Sequence, residues 1–529
     1  MISDKLRGAT YRSGIIIGLV GSIIIMLCSH AVGAIRARGG IMQGLGLTSL
    51  TFGHAAGMLL TVMWVGVAGL LVSWIIVGGR ILRFGEHLRP SAVAAWIGPL
   101  VFAGPLMSRD VYSYLMQGTL TRDGFNPYHD GAASNPGPLL YEVSPDWRNT
   151  TTPYGPLHLG IGDAITSITG DNITAGVLAY KALSLISVGI MAWAVVQLTR
   201  HFGARPAVAL WLGVFNPLSI IHLIGGMHNE NIMMACVLVA IVLTVKYRPA
   251  WGFAGAALIG VGVAIKATAF IALPFMVWMM VSRFGGNRFF TLLWTGVVSV
   301  VAMLASLAGL TVVTSQTWGW VAEVTGNTKV INPLALPSFI ASTLAPVLSR
   351  FNDDITFNAI LAVVRPATAI AMVIAMVAVW LIYRKDEITA LKGMTIAYLV
   401  TCVLNSVTLP WYYTAPLALI ALWAKDRRVI YVTAVLSMWM CMMFDGGGNN
   451  RLYELWWVIG LAVAIGWVVM VTLGYRPGLP PAKTDTWYLR CSASGDFIES
   501  PSPAPGASPR EPGDHAGRLP DDLAENHRR

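Results

Sequence analysis

The chain has 529 residues, of which 55% are hydrophobic and 12% are charged. Its mean hydropathy is +0.63, and this composition excludes an average soluble protein and is typical of a polytopic membrane protein. The formal net charge of +10 comes with basic residues in the short loops between apolar segments, so it indicates membrane topology rather than a nucleic-acid partner.

Apolar runs close to the length that crosses a bilayer recur along the chain, and we count about 14 of them. They lie near 14–34, 55–78, 92–107, 173–198, 206–224, 231–246, 251–265, 267–282, 289–313, 356–383, 391–408, 412–424, 428–443 and 452–473. No signal-peptide cleavage pattern follows the first run, so we expect an uncleaved span. The sequence therefore predicts an all-α transmembrane domain over residues 1–475.

Lys and Arg predict how these spans are oriented. If the N-terminus, with Lys5, Arg7 and Arg12, is cytoplasmic, every short loop on the same side is basic. We therefore expect a multi-pass protein of the plasma membrane whose longest loop, residues 108–172, is external. Residues 476–529 are rich in Pro, Gly, Ser and charge, which predicts a disordered cytoplasmic tail.

The external loop begins with Arg109 and Asp110, directly after an apolar run. Ionisable groups at the membrane edge are costly unless they are paired or wet, which makes both residues candidates for a site. The alternative is that Arg109 extends to the interface and Asp110 caps the next helix. The spacing of Tyr112, Tyr114 and Leu115 predicts that this helix is amphipathic and lies along the membrane interface.

Aromatic residues and prolines follow in the same loop, in the motifs Gly124-Phe125-Asn126-Pro127-Tyr128 and Thr152-Pro153-Tyr154-Gly155-Pro156. Such residues suit stacking against sugars, and they are equally ordinary at a membrane interface. Long loops in compact proteins tend to be functional.

Two further polar features are expected on the external side. His228, Asn229 and Glu230 join two apolar runs, as part of a site or as a hydrogen-bonded helix connection. Lys266 is a single cation among about thirty apolar residues, either within one continuous helix or at a turn between two short ones. In both cases a paired anion is expected for Lys266.

Later segments add polar and aromatic groups to the same face. Trp411 and Tyr412 follow Leu409-Pro410, and Lys181 falls near the outer end of its span. The predicted external face thus collects a carboxylate, several cations and aromatic rings. Transfer of a sugar from a lipid phosphate needs a general base on the acceptor hydroxyl and cations that stabilise the leaving phosphate. It does not need the carboxylate pair of glycoside hydrolysis.

Several motifs resemble those of a known family. They are Pro105-Leu106-Met107-Ser108-Arg109-Asp110-Val111-Tyr112-Ser113-Tyr114, the two aromatic and proline motifs of the external loop, Phe215-Asn216-Pro217, Gly226-Met227-His228-Asn229-Glu230 and Leu409-Pro410-Trp411-Tyr412. On these motifs the chain resembles the polyprenol-phosphomannose-dependent α-(1→6)-mannopyranosyltransferases of mycobacteria and corynebacteria, which have the C-type glycosyltransferase (GT-C) fold. The resemblance covers most of the membrane domain and not the tail.

This resemblance implies decaprenyl-phosphate-mannose as the donor and the mannan core of lipomannan and lipoarabinomannan as the lipid-anchored acceptor. It also implies a catalytic acid residue at the start of the first large external loop, where Asp110 lies. The fold usually has two neighbouring acidic residues, whereas Asp110 is flanked by Arg109 and Val111. Either Glu230 or Asp146 could complete the site.

We therefore predict an inverting, single-displacement mannosyltransferase with Asp110 as the base. Lys266 is expected to bind the donor phosphate, with Arg109 and Lys181 as alternatives. The residues expected to contact sugar or acceptor are Tyr112, Tyr154, His228, Asn229, Glu230, Trp411 and Tyr412. No cofactor or metal site is predicted, although a divalent metal is left open. The alternatives are a polyprenyl-phosphate-arabinose-dependent transferase and a flippase or transporter of lipid-linked sugars.

Overall fold

A computed structural model describes residues 2–326 and 331–474 of the chain. The described residues are helical, and they contain no β-strand beyond an isolated bridge between Phe444 and Asn450. The predicted tail, residues 476–529, lies outside the described residues.

The described residues form 21 α-helices. In chain order these are α1 (Ile2–Gly8), α2 (Tyr11–Val32), α3 (Ile41–Gly44), α4 (Gly53–Phe84), α5 (Pro90–Ile97), α6 (Asp110–Arg122), α7 (Pro156–Thr169), α8 (Ile173–Phe202), α9 (Pro206–Ala209), α10 (Pro217–Ser219), α11 (Glu230–Lys246), α12 (Trp251–Val263), α13 (Leu273–Phe284), α14 (Arg288–Val313), α15 (Trp320–Gly326), α16 (Leu336–Leu348), α17 (Phe357–Ile382), α18 (Glu387–Leu404), α19 (Thr414–Ile420), α20 (Arg427–Cys441) and α21 (Leu455–Leu473). Helices α9 and α10 continue as π-helical turns over Leu210–Val214 and Ile220–Gly225.

Eight of the described helices are long and apolar enough to cross a membrane, or nine if the bent pair Pro206–Val214 and Pro217–Gly225 is one span. Each apolar run found in the sequence overlaps a helix. Several of these helices are short or broken, such as α12 with 13 residues. The architecture is that of an all-α polytopic membrane protein.

Basic residues gather at one end of the bundle, which we call the basic end. Arg7 Nε donates to the Val471 carbonyl (3.4 Å), and Arg83 Nη1 donates to the Arg7 carbonyl (3.2 Å). Arg283 likewise donates to the Val245 carbonyl. The first two contacts bring the last turns of α4 and α21 next to α1, and the third joins the last turns of α11 and α13. Helices α8 and α11 begin at the opposite end, which we call the cavity end.

Two glycines bring α6 and α7 into close contact at the cavity end. A Cβ atom on Gly118 would lie 2.2 Å from the carbonyl carbon of Gly162, so the two backbones touch at this crossing. Small residues allow this kind of approach between helices. The crossing places the side chains of α7 directly against those of α6.

The interfacial position of α6 stays a prediction, but the helix has no exposed apolar face. The side chains of Tyr112, Tyr114 and Leu115 are all buried, and the Tyr112 hydroxyl donates to the Ala34 carbonyl (2.8 Å). Helix α6 is enclosed by α7, α8 and the residues after α2. The rings of Tyr112 and Tyr114 are therefore covered by protein, whereas the sequence pattern alone suggested an amphipathic helix.

Candidate active site

Asp110 is the first residue of α6, and its position follows from the strained segment that precedes it. Met107 has a left-handed backbone (φ 55°), which is unfavourable for a residue with a side chain. The Met107 N–H donates to the Gly446 carbonyl (2.9 Å), and the Leu106 N–H donates to the Gly225 carbonyl (3.2 Å). These hydrogen bonds to Gly446 and Gly225 therefore fix the direction in which the chain enters α6.

His228 reaches Asp110 from a second strained turn. Met227 also has a φ of 55°, and it directly precedes His228. His228 Nδ1 lies 3.4 Å from Asp110 Oδ2, and the imidazole stacks on Trp411 with 3.6 Å between ring centroids. The imidazole is thus held between the carboxylate and the indole.

The Asp110 carboxylate is ionised at neutral pH. Burial raises the pKa of Asp110, but His228, the Ser108 hydroxyl and Lys266 favour the charged form and leave the pKa below its ordinary value of 3.8. The side chain keeps 18% of its surface accessible. Asp110 is therefore a charged acceptor that a ligand in the cavity can reach.

Lys266 lies at a break between two helices, as one of the two sequence interpretations predicted. Helix α12 ends at Val263, Lys266 is extended (φ −151°, ψ 126°), and a 3₁₀ helix begins at Ala267. Its ammonium contacts Glu230 Oε1 and lies 4.0 Å from the centroid of the Tyr412 ring. The expectation of a paired anion is confirmed by Glu230.

The Thr152–Pro156 motif of the external loop packs against this break. The Gly155 N–H donates to the Ile265 carbonyl (3.3 Å), and the His158 N–H donates to the Ala264 carbonyl (3.1 Å). A Cβ atom on Gly155 would lie 2.5 Å from the Ala264 oxygen, so only glycine permits this approach. The loop motif and the Lys266 segment therefore form one structural unit.

These elements surround a cavity of about 190 Å³. Its charged lining groups include Asp110 and Lys266, and its aromatic walls are Tyr114, Trp147, Tyr154, Trp411 and Tyr412. Polar side chains from Ser113, Gln117, Asp130, Thr150, Thr151, Thr152, Thr268 and Asn405 also line it. Aromatic faces beside polar groups, with the Asp110 and Asp130 carboxylates and one ammonium, suit a phosphorylated sugar.

A layer of buried polar groups lies behind the cavity wall. Asn229 Nδ2 donates to His158 Nδ1 (3.3 Å), so the proton of this imidazole is on Nε2, which donates to Gln117 Oε1 (3.2 Å). Burial, together with the charge of Lys266, lowers the pKa of His158 to about 3. His158 is therefore neutral, and the orientation of the Asn229 amide assigns its proton to Nε2.

The predicted site residues fall into three groups by position. Asp110, Lys266, Tyr154, Trp411 and Tyr412 line the cavity. His228, Asn229 and Glu230 are fully buried behind it and contact lining residues or, for Asn229, His158. Arg109, Lys181 and Tyr112 are not brought to the cavity.

These last three residues have protein partners instead. Arg109 Nη2 pairs with Glu142 Oε2 (3.1 Å), and its Nη1 donates to the Ile35 carbonyl (2.8 Å). The Lys181 ammonium donates to the carbonyls of Leu100 and Gly225, each at 3.3 Å. Both cations satisfy groups of the protein itself, so the geometry does not support their predicted phosphate contacts. The hydroxyl of Tyr112 is likewise used within the protein.

Of the two carboxylates left open by the sequence, Glu230 is at the site and Asp146 is not. Asp146 is exposed, and its Oδ2 accepts a hydrogen bond from the Ser144 hydroxyl (3.4 Å). Within residues 2–326 and 331–474, no group of three or more His, Cys, Asp or Glu side chains is placed to hold a metal ion.

Sequence analysis missed Gln117 and His158. Gln117 follows Asp110 by seven residues, which is two helical turns and therefore the same face of α6. That spacing could have identified Gln117 once α6 was assigned as a buried helix. His158 gave a weaker signal, since only its position two residues after the Thr152–Pro156 motif sets it apart.

The cavity residues belong to segments that match known family models. Residues 15–282 match the model described as the alpha-(1->6)-mannopyranosyltransferase N-terminal domain, and residues 340–474 match the one described as the MptB C-terminal domain. The first match contains Asp110, Gln117, His158 and Lys266, and the second contains Trp411 and Tyr412. No solved structure matches the chain.

Curated relatives cover most of the chain. Alpha-(1->6)-mannopyranosyltransferase A of Corynebacterium glutamicum is 45% identical over 85% of this chain and 96% of the relative. The protein of the same name from Mycobacterium tuberculosis is 33% identical over 88% of this chain and 91% of the relative. Alpha-(1->6)-mannopyranosyltransferase B of C. glutamicum is 28% identical over 71% of this chain and 67% of the relative. The chain therefore belongs to the α-(1→6)-mannopyranosyltransferase family and is a membrane glycosyltransferase.

Proposed function

We propose that this protein transfers mannose from polyprenyl-phosphate-mannose to a growing, lipid-anchored α-(1→6)-mannan of the lipomannan and lipoarabinomannan type. The observation that carries the proposal is that Asp110 and Lys266 line one cavity with the aromatic rings of Tyr114, Trp147, Tyr154, Trp411 and Tyr412. The names of the relatives support mannose as the sugar and the α-(1→6) linkage.

In the proposed reaction the two charged groups act on opposite partners. Asp110 accepts the proton of an acceptor hydroxyl as that oxygen attacks the anomeric carbon of mannose. The bond from this carbon to the phosphate oxygen breaks, and polyprenyl phosphate leaves with the electron pair. Lys266 stabilises the charge of the phosphate through charge-assisted hydrogen bonds.

Lys266 is suited to this role because its ion pair with Glu230 keeps the side chain protonated. Burial lowers the pKa of Lys266, but the nearby Glu230 carboxylate, together with Tyr412 and Asp110, more than offsets this effect and raises the pKa above its ordinary value of 10.5. The ammonium lines the cavity while Glu230 stays behind it. A bound phosphate can therefore share the ammonium without displacing Glu230.

A single displacement of this kind inverts the anomeric configuration, so a β-linked donor gives an α-linked product. We propose that the chain has the GT-C fold with about 14 membrane-crossing segments. The cavity would then face the external side of the plasma membrane, because the basic residues lie at the other end of the bundle.

The purified protein in proteoliposomes tests the reaction. Polyprenyl-phosphate-mannose and polyprenyl-phosphate-arabinose are each supplied with an α-mannoside acceptor, and the product and its anomeric configuration are measured. We expect an α-linked mannoside and free polyprenyl phosphate, formed only when the acceptor is present. Transfer of arabinose alone, or movement of the donor across the bilayer without its consumption, would contradict the proposal.

Sidedness is tested separately with a membrane-impermeant thiol reagent on intact cells. Asp171→Cys places a thiol between α7 and α8 at the cavity end, and Arg248→Cys places one between α11 and α12 at the basic end. We expect the reagent to label the first variant and not the second. The reverse pattern would place the cavity on the cytoplasmic side.

A further inference from the structure

We propose that Gln117 binds a hydroxyl oxygen of a mannose residue through its side-chain amide nitrogen, and that His158 and Asn229 are positioning residues that set the direction of this amide. The proposal rests on the proposed function, since it concerns the sugar in the same cavity. It assigns a role to three side chains that the reaction described above does not use.

Gln117 is a partly accessible polar residue in an otherwise buried stretch of α6, residues 111–120. Its neighbours Leu115, Met116 and Gly118 are buried, whereas Gln117 lines the cavity. It lies two turns along α6 from Asp110, about 10 Å at 1.5 Å per residue. This separation places it beside the substrate but away from the proton that Asp110 accepts.

The hydrogen-bond chain behind Gln117 has only one direction in this structure. Asn229 Nδ2 donates to His158 Nδ1, which therefore carries no proton, and His158 Nε2 must donate to Gln117 Oε1. The Gln117 oxygen is occupied by this bond. Its amide nitrogen has no protein partner within the described residues and carries the two N–H groups that remain for a ligand.

The part of the hydrogen-bond chain behind Gln117 is rigid because Asn229 and His158 are enclosed. Asn229 is 2% exposed and His158 is 3% exposed, and the imidazole packs against the rings of Tyr114 (4.7 Å) and Tyr154 (4.4 Å). The backbone N–H of His158 is also bonded to the Ala264 carbonyl, next to Lys266. The direction of the Gln117 amide is therefore tied to the same segment that presents the cation.

An amide N–H group at this position favours sugars that carry a hydroxyl oxygen where the N–H group can reach it. A site built to bond a hydroxyl rejects an analogue that lacks it, because the polar group of the protein is then left unpaired. The oxygen belongs either to the donor mannose or to the acceptor chain. Both sources would offer the same hydroxyl chemistry. Kinetics with deoxy donors and deoxy acceptors distinguish them.

The experiment compares the wild-type protein with Gln117→Met and Gln117→Glu, using a set of monodeoxy mannosides as acceptors and monodeoxy donors in parallel. We expect the wild-type protein to penalise one particular deoxy analogue about three- to tenfold in kcat/KM, the range for one neutral hydrogen bond. Gln117→Met should show no penalty for that analogue and should keep the penalties for the others. A change confined to the acceptor series, or to the donor series, identifies the source of the oxygen.

The roles of His158 and Asn229 are tested by the same measurement, the loss of kcat/KM with the deoxy analogue. In Asn229→Asp the carboxylate accepts a hydrogen bond from a protonated His158 Nδ1, so that Nε2 becomes the acceptor of the Gln117 amide nitrogen. The hydrogen-bond chain is then reversed, and the Gln117 oxygen turns toward the cavity. The penalty should then disappear although Gln117 is unchanged. Gln197→Met, which removes an amide at the basic end that bonds only Lys246, is the matched control and should behave as the wild type.

Two results would overturn the proposal while leaving the proposed function intact. One is Gln117→Met with wild-type KM values and an unchanged pattern of deoxy penalties. The other is Asn229→Asp and His158→Phe proteins that lose only thermal stability and retain the full penalty at a permissive temperature. Failure of the proposed function is distinct, because the wild-type protein would then transfer no mannose at all.

Discussion

The two ends of the bundle both pair carboxylates with cations, but they do so in different surroundings. At the basic end, Glu387 contacts His201 (2.5 Å) and Arg283 (3.4 Å), all of them partly exposed. At the cavity end, Glu230 and Lys266 are buried, and the second Glu230 oxygen has no hydrogen-bond partner within the described residues.

This difference agrees with a structural role for Arg283 and with the binding role proposed for Lys266. Arg283 also donates to the Val245 and Tyr247 carbonyls, so it closes the last turn of α11 much as a capping group does. Lys266 has no such carbonyl partner among the described contacts, and it faces a cavity with Asp110. An incompletely paired charge beside a cavity is costly for stability and indicates a binding role.

The largest effect is expected from Asp110→Asn. The amide keeps the shape of the side chain but cannot accept the acceptor proton, so transfer should fall by about a hundredfold or more. Asp146→Asn is the matched control, because Asp146 is an exposed carboxylate of the same loop that does not line the cavity. Initial rates of both purified variants are measured alongside thermal unfolding. Normal turnover by Asp110→Asn would remove Asp110 from the role of base.

The second prediction separates the binding role of Lys266 from its structural role. Lys266→Met leaves Glu230 buried without a partner, which should cost about 3–5 kcal/mol of stability. Donor affinity should also fall roughly tenfold to a hundredfold, the equivalent of one charge-assisted hydrogen bond.

The double variant Lys266→Met/Glu230→Gln should recover most of this stability and none of the donor affinity. At the basic end, Glu387→Gln should cost only about 0–1 kcal/mol and leave donor binding unchanged. Thermal unfolding and donor titration measure the two quantities separately. A double variant that regains normal donor affinity would show that Lys266 has only a structural role.

A smaller effect is expected from His228→Gln and appears in the pH profile. The contact with His228 helps to hold the pKa of Asp110 below 3.8, so removal of the imidazole should raise that pKa. Because the deprotonated carboxylate is the active form, the acid limb of the rate profile should move to higher pH. The stability that ionised Asp110 contributes is present above pH 3.8 and is lost as the pH falls through its folded-state pKa. An unchanged acid limb would show that His228 does not act on Asp110.

The smallest effect on transfer is expected at Arg109. Arg109→Gln breaks the pair with Glu142, which is 1% exposed, and should lower the melting temperature. Because Arg109 does not line the cavity, the KM for the donor should stay at the wild-type value. A clear rise in that KM would instead support the phosphate contact that the sequence suggested.

The roles of three cations could not be predicted from the sequence: Lys181, Arg109 and Lys266. Each is a cation near the outer end of an apolar run, and nothing in the local pattern distinguishes them. Only the folded chain shows that Lys181 meets two carbonyls, Arg109 meets Glu142 and Lys266 meets Glu230 beside a cavity. Their partners are 33 or more residues away in sequence, so no local spacing encodes them.

The sequence by itself determined the all-α membrane architecture, because the cost of leaving a backbone unpaired in lipid makes long apolar runs form helices. It also determined the family and the position of Asp110, since both follow from contiguous motifs. The tertiary structure alone decided the tautomer of His158, the direction of the Gln117 amide and the choice of Glu230 over Asp146. These depend on contacts between separate helices, where packing at strained turns and small residues, rather than local propensity, sets which side chains meet.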